Sequence, residues 1–348
     1  MGHNKMNPSE LIEIAQRLVG SGKGILAMDE STGTCNKRFA ALGIAQTEEA
    51  RRSYRELLVT TPSLSDSISG AILYDETIRQ KTKTRKYFVD VLKNAGIIAG
   101  IKVDIGAKDL AGRPGEKITE GLDGLRDRLK EYAGMGARFA KWRAVIALGE
   151  GLPSLGCIEA NAQALACYAA LCQEANIVPI VEPEVLMDGD HTLERCYEVT
   201  EETLHRVFNH LYTQNVMLEG MILKPNMVLP GLICSKQESM DEVAAATVKC
   251  LRRSVPAAVA GIAFLSGGQT AELATARLNA MNLFAKSPTS HLPWPLVFSF
   301  ARAVQQPALD IWQGKDENVK QAQKALAHRA HCNHAALNGE YSPTMERT

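Results

Sequence analysis

Neither sign of charge is in excess in this chain: 39 lysines and arginines face 39 aspartates and glutamates, with no long basic run. That balance argues against nucleic acid or an anionic membrane surface as a partner. The eight cysteines, at 35, 157, 167, 172, 196, 234, 250 and 332, include no C-x-x-C pair. Several sit in apolar or helical settings, as Cys167 and Cys172 do. They read as reduced core cysteines, which favours the cytoplasm over secretion. No basic-apolar-small signal pattern opens the chain, and Met6 stands where a myristoylation signal after Gly2 needs Ser or Thr. No apolar run reaches the roughly 18 residues of a membrane span. No linker rich in Pro, Gly or Ser divides the chain, so a cytoplasmic, soluble protein is the expectation.

What is present is a large apolar share, 45% of 348 residues, enough for a sizeable core. Eight short apolar segments read as strands, at 24–29, 69–75, 98–104, 137–145, 177–185, 219–226, 261–268 and 294–301. Amphipathic stretches lie between them, including 48–58, 121–132, 159–174, 193–211, 241–253 and 271–281. Strand alternating with helix every roughly 30–46 residues is the pattern of repeated βα units. Eight such units predict a closed (β/α)8 barrel over residues 1–348 as one domain, a fold that takes about 250 residues. The extra length fits an N-terminal helix region over 1–23, with Ser9 as its cap, and a C-terminal helix and tail over 314–348.

Barrel active sites lie at the carboxyl ends of the strands. Here those ends carry charge where core filling would place none. Lys224 follows Met221-Ile222-Leu223 and precedes Pro225-Asn226; its sisters are Lys102 with Asp104, Lys141 with Arg143, and Glu182 with Glu184. Alternation puts each of these pairs on one face of its strand. Buried charges are costly unless they pair or work. A lysine among aliphatic neighbours suits an amine nucleophile that forms an imine with a ketone. Lys141 would supply a neighbouring cation, and Glu182 and Glu184 an acid/base pair. The plainer alternative is a structural ion pair between Lys141 and Glu184, which leaves Lys102, Lys224 and Asp29 unexplained.

Ser266-Gly267-Gly268 after the seventh strand, with Arg302 after the eighth, suits a phosphate in a nest of backbone N–H groups. In many barrels the phosphate site lies after those two strands. Two groups suggest metals: Asp188-Gly189-Asp190-His191, and His328, His331, Cys332 and His334. The first lacks the continuing ligand series of a calcium loop, and the second lacks a partner cluster at zinc spacing. Both are expected to be ordinary surface residues, with no metal and no cofactor.

The motifs GILAMDESTG at 24–33, FAKWR at 139–143, VEPE at 181–184, ILKPNM at 222–227 and FLSGGQ at 264–269 resemble class I fructose-1,6-bisphosphate aldolase. The resemblance runs in unbroken order from about residue 9 to 343. It implies a metal-independent lyase that cleaves fructose 1,6-bisphosphate reversibly into dihydroxyacetone phosphate and glyceraldehyde 3-phosphate, and a homotetramer acting on sugar phosphates. By the same resemblance Lys224 is the Schiff-base lysine and Glu182 the proton-transfer acid/base. Glu184 and Lys141 flank the imine, and Asp29 is the base on the C4 hydroxyl. Ser266, Gly267, Gly268, Ser299 and Arg302 match the C1-phosphate site, while Ser31, Thr34, Arg38, Lys102 and Arg143 hold the rest of the sugar.

Three positions depart from the family pattern. Ala301 precedes Arg302 where Gly is usual, and Thr34 replaces the Ser of animal members. The terminal tyrosine of animal and plant members has no match, since Tyr341 corresponds to an internal one. Rival readings are a transaldolase-like or sedoheptulose-bisphosphate-cleaving Schiff-base enzyme, and a non-catalytic scaffold on the same barrel. A scaffold would tolerate loss of Lys224 or Glu182, and both are present.

Overall fold

The computed structural model describes residues 6–20, 22–286 and 291–347. Its central sheet has eight parallel strands: β1 (Gly24–Ala27), β2 (Ile68–Leu73), β3 (Ile98–Lys102), β6 (Phe139–Ile146), β7 (Val178–Val185), β8 (Ile222–Leu223), β9 (Gly261–Phe264) and β10 (Leu296–Phe298). They pair in that order, and the Ala27 N–H donates to the Phe300 carbonyl at 3.1 Å, which joins the last strand to the first. The sheet is therefore the expected (β/α)8 barrel. Its strands are buried on both faces and read as near-continuous apolar runs, as parallel strands under helices should.

Helices α2 (Thr32–Ala41) and α3 (Glu48–Val59) follow β1, and α4 (Asp75–Arg79) and α5 (Phe88–Asn94) follow β2. After β3 comes an antiparallel hairpin, β4 (Gly106–Asp109) and β5 (Lys117–Glu120), and then α6 (Leu125–Gly134). The ring continues with α7 (Leu155–Glu174), α8 (Leu193–Thr213), α9 (Met240–Ser254), α10 (Ala271–Ala285) and α11 (Arg302–Trp312). Helix α7 is long and apolar enough to span a membrane by length and composition; here it packs against β7 and α8.

The amino end of the barrel is filled by aromatic rings and sealed by α1 (Pro8–Val19). The Phe139 ring lies so close to β3 that a Cβ on Gly100 would come within 2.3 Å of it, so only glycine fits there. On α1, Leu18 reaches Gly70 of β2 and Val19 reaches Gly261 of β9. With one end plugged, the carboxyl end is left for chemistry.

Several boundaries differ from the sequence reading. Helix α1 is capped by Asn7, whose side chain accepts the Glu10 N–H at 3.3 Å, and not by Ser9. The cause is Pro8, which lacks an N–H and has the fixed φ suited to the first helical position. Strand β8 is only two residues long, though the Lys224 N–H still reaches the Val181 carbonyl at 2.8 Å. The hairpin has no counterpart among the expected elements, because its four-residue strands are polar and half exposed. It also delays α6, expected from 121, to Leu125. The last helix, α12 (Val319–Leu337), packs on α3, α10 and α11. On it Cys332 is fully buried, which corrects its reading as a surface residue; the exposed face holds His331.

Candidate active site

The strand ends bring the expected charges together. Lys224 and Glu182 lie almost fully buried, with the Lys224 amine 3.3 Å from Glu182 Oε1. The other oxygen of Glu182 is 3.4 Å from the Lys141 amine, and Lys141 is 2.8 Å from Asp29 Oδ2. One carboxylate thus spans two amines, and a second carboxylate balances the pair. Burial works against the charge on Asp29, but Lys141, Lys224 and Lys102 together bring its pKa down to about 2. Lys141 is likewise opposed by burial and held far above the usual lysine value by Asp29 and Glu182. Asp29 is therefore an ionised acceptor and Lys141 a permanent cation.

Glu184 is placed differently from the alternative that paired it with Lys141. It accepts from the Arg143 guanidinium, while Lys141 turns to Asp29 and Glu182. Backbone register sets Arg143 beside Glu182 and Val145 beside Glu184, so both side-chain pairs form diagonally between β6 and β7. Lys102 is bonded to Asp104, whose other oxygen accepts the Arg143 N–H at 3.2 Å.

Two adjoining cavities meet at this cluster and share Glu30, Thr34, Arg143, Glu182, Lys224 and Ala301. The larger, about 720 Å³, contains Asp29, Ser31, Lys102 and Lys141 and extends toward Arg79, Arg128 and Tyr132. The smaller, about 420 Å³, holds Ser266, Gly267, Gly268, Ser299, Ala301 and Arg302. Gly267 has φ +58°, a left-handed conformation that favours glycine, and its carbonyl accepts from Arg302 at 3.1 Å. The Ser299 hydroxyl is buried with no partner among the described residues. A buried, unmatched donor beside a glycine turn and an arginine is the chemistry of an anion cradle. Ala301 has a negative φ of −102°, so the position does not call for the left-handed conformation that favours glycine.

The residues expected to hold the rest of the sugar do not form one cluster. Arg38 lines the smaller cavity, Ser31 and Lys102 the larger, and Thr34 and Arg143 both. Ser31 caps α2, accepting the Thr34 N–H at 3.3 Å. Arg38 is 2.5 Å from Glu30, which also binds Arg55 at 2.7 Å. Glu30 was absent from the candidate set although it neighbours Asp29. Its two arginine partners, both on helices, are what make it part of the site. Arg79, Arg128 and Tyr132 were missed for a different reason: they lie on helices and carry no strand-end signal.

Among the described residues, one group of metal-capable side chains converges. His328, Cys332 and Glu346 place donor atoms within 4.8 Å of one another. Glu346 Oε1 already accepts from Arg329 and from the Tyr341 hydroxyl, and none of the three lines either cavity. In the other loop expected at the surface, Asp188 and Asp190 are exposed, but His191 is half-buried, with both ring nitrogens out of solvent, which corrects its reading as a surface residue.

The chain matches the family profile for fructose-bisphosphate aldolase class-I over residues 10–348. It is 59% identical to a probable fructose-bisphosphate aldolase class 1 of Xanthomonas campestris, across 97% of this chain and 99% of that protein. It is 51% identical to the cytosolic fructose-bisphosphate aldolase 4 of Arabidopsis thaliana, across 95% of this chain and 84% of that one. Among solved structures it resembles Plasmodium falciparum fructose-bisphosphate aldolase, crystallised with TRAP and a small-molecule inhibitor. There the TM-score is 0.94 at 47% identity, covering 97% of this chain and 98% of the other. The family match over nearly the whole chain, together with relatives of this identity and coverage, places the chain in the class I fructose-bisphosphate aldolase family.

Proposed function

We propose that Lys224 is the amine that carries the aldolase reaction and that Glu182 moves its protons. The observation behind this reading is the position of Glu182, within 3.3 Å of one buried amine and 3.4 Å of another. The Lys224 amine adds to the C2 carbonyl of fructose 1,6-bisphosphate, and loss of water gives a protonated imine. When C3–C4 breaks, its electron pair moves toward the imine nitrogen, leaving an enamine on Lys224. The C4 hydroxyl proton passes to a carboxylate, the aldehyde departs, and protonation at C3 with hydrolysis frees dihydroxyacetone phosphate.

Asp29 suits the base role because Lys141 keeps it ionised. Glu184 and Lys141 flank the imine through separate partners, Arg143 for the first and Asp29 for the second. The C1 phosphate is assigned to Ser266, Gly267, Gly268, Ser299 and Arg302, supported by the unmatched Ser299 hydroxyl. Ser31, Thr34, Arg38, Lys102 and Arg143 are assigned to the remaining hydroxyls and the second phosphate. We assign the enzyme to the cytoplasm as a homotetramer. Eight free cysteines support the compartment, and the family resemblance supports the assembly. Light scattering of the purified protein tests the assembly.

Borohydride added with dihydroxyacetone phosphate should reduce the imine and fix the ligand to Lys224. Mass spectrometry that locates the adduct on another lysine, or none while turnover persists, would overturn the assignment.

A further inference from the structure

We infer that Met187 is a built-in competitor for the phosphate cradle, its thioether holding the Gly268 N–H that a phosphate oxygen would otherwise take. The inference rests on the assignment of phosphate to Ser266–Gly268 made above. Met187 Sδ accepts the Gly268 N–H at 3.0 Å, and the side chain is nearly fully buried. Its methyl group lies against the turn so closely that a Cβ on Gly267 would be 2.0 Å away. Met187 also lines the same cavity as Ser299 and Arg302.

The backbone around Met187 is held by a second loop. Leu232 N–H reaches the Met187 carbonyl at 2.8 Å, Ile233 N–H the Gly189 carbonyl at 3.1 Å, and Gly231 N–H the His191 carbonyl at 2.8 Å. Pinned main chain leaves the unbranched side chain as the adaptable part, with three rotatable bonds to swing it aside. Thioether sulfur is a weak acceptor, whereas a phosphate oxygen makes a charge-assisted bond. Phosphate therefore wins the N–H, but its net gain is reduced by the bond that Met187 gives up. Met187 tunes how tightly the phosphorylated end is held, and acts on binding without touching the reacting carbons.

The test is calorimetric titration of inorganic phosphate into the full-length protein and its Met187→Leu, Met187→Ala and Ser266→Ala variants. Leucine keeps the volume and removes the acceptor. Loss of a weak competing hydrogen bond should lower the Met187→Leu dissociation constant about three- to tenfold. Structural damage would raise that constant, so tightening is a result that damage does not produce. Should the leucine variant melt well below the parent, Met187→Ala decides in its place. An unchanged or raised constant in the deciding variant overturns the competition. If Ser266→Ala leaves phosphate binding untouched, the cradle assignment itself fails and the competitor falls with it. Binding weakened by Ser266→Ala but unmoved at Met187 removes the competitor alone.

Discussion

Glu182 can serve two amines because β6 and β7 stagger their side chains diagonally, so a single carboxylate reaches Lys141 on one side and Lys224 on the other. Glu182→Gln keeps the shape and removes the proton carrier, so kcat should fall by about 10²–10⁴-fold while the protein stays folded. Stopped-assay turnover with circular dichroism as the folding control measures this, and a loss under tenfold would remove Glu182 from the proton path. The electrophile in this scheme is a protonated imine on Lys224, which does the work of a Lewis acid. Exhaustive chelation should therefore leave aldol cleavage intact, as in the rest of the metal-independent class. Activity that vanishes with chelator and returns with zinc would contradict it. Alternation along a strand told which charges share a face, and so Lys141, Glu182 and Lys224 were legible as a group. It did not tell which partner each would find. Asp29 reaches Lys141 from β1, three strands round the barrel, and no local pattern encodes a contact across its interior.

The elements were legible wherever apolar runs met turn residues, and illegible where short polar strands pair with each other. The β4–β5 hairpin is of the second kind, and the C-terminal pin, a side-chain contact between α12 and residues 343–347, has no periodic signal either. In that pin, Arg329 on α12 is buried, and Glu346 beyond the helix neutralises it while accepting from the Tyr341 hydroxyl at 2.9 Å. Burial opposes the charge on Glu346, but Arg329 and Tyr341 hold its pKa below the ordinary carboxylate value. A carboxyl lowered in the folded state adds stability that is fully present above the unfolded pKa. That stability is lost as pH falls through the lower folded value. Glu346→Gln should therefore cost about 1–3 kcal/mol at neutral pH, where Arg329 loses its counter-charge. The difference from the parent should shrink as pH drops below about 4. Urea unfolding at several pH values reads both effects. A penalty independent of pH would mean that Glu346 acts by shape and not by charge.

A barrel is a whole-molecule property, since it exists only if the eighth strand finds the first. Eight repeats of strand and helix made closure legible in advance, but the groups that seal it come from a helix with no strand-like pattern. The seam is held by the Ala27 N–H on the Phe300 carbonyl at 3.1 Å, and behind it lies Gln305 of α11, fully buried. Its amide donates to the Ala27 carbonyl and accepts from the Tyr54 hydroxyl at 3.0 Å, tying β1, α3 and α11 together. Asp29 stands two residues beyond Ala27, so the carboxylate proposed as the base hangs from this seam. Gln305→Leu keeps the volume but leaves a buried carbonyl and a buried hydroxyl unmatched, at about 1–3 kcal/mol each. The expected cost is about 2–6 kcal/mol in urea unfolding, with a fall in kcat as Asp29 loses its anchor. Adding Tyr54→Phe removes one of the orphaned groups, so the double variant should recover part of that stability. Costs that simply add would show that the two side chains act independently, and that the barrel closes without the relay between them.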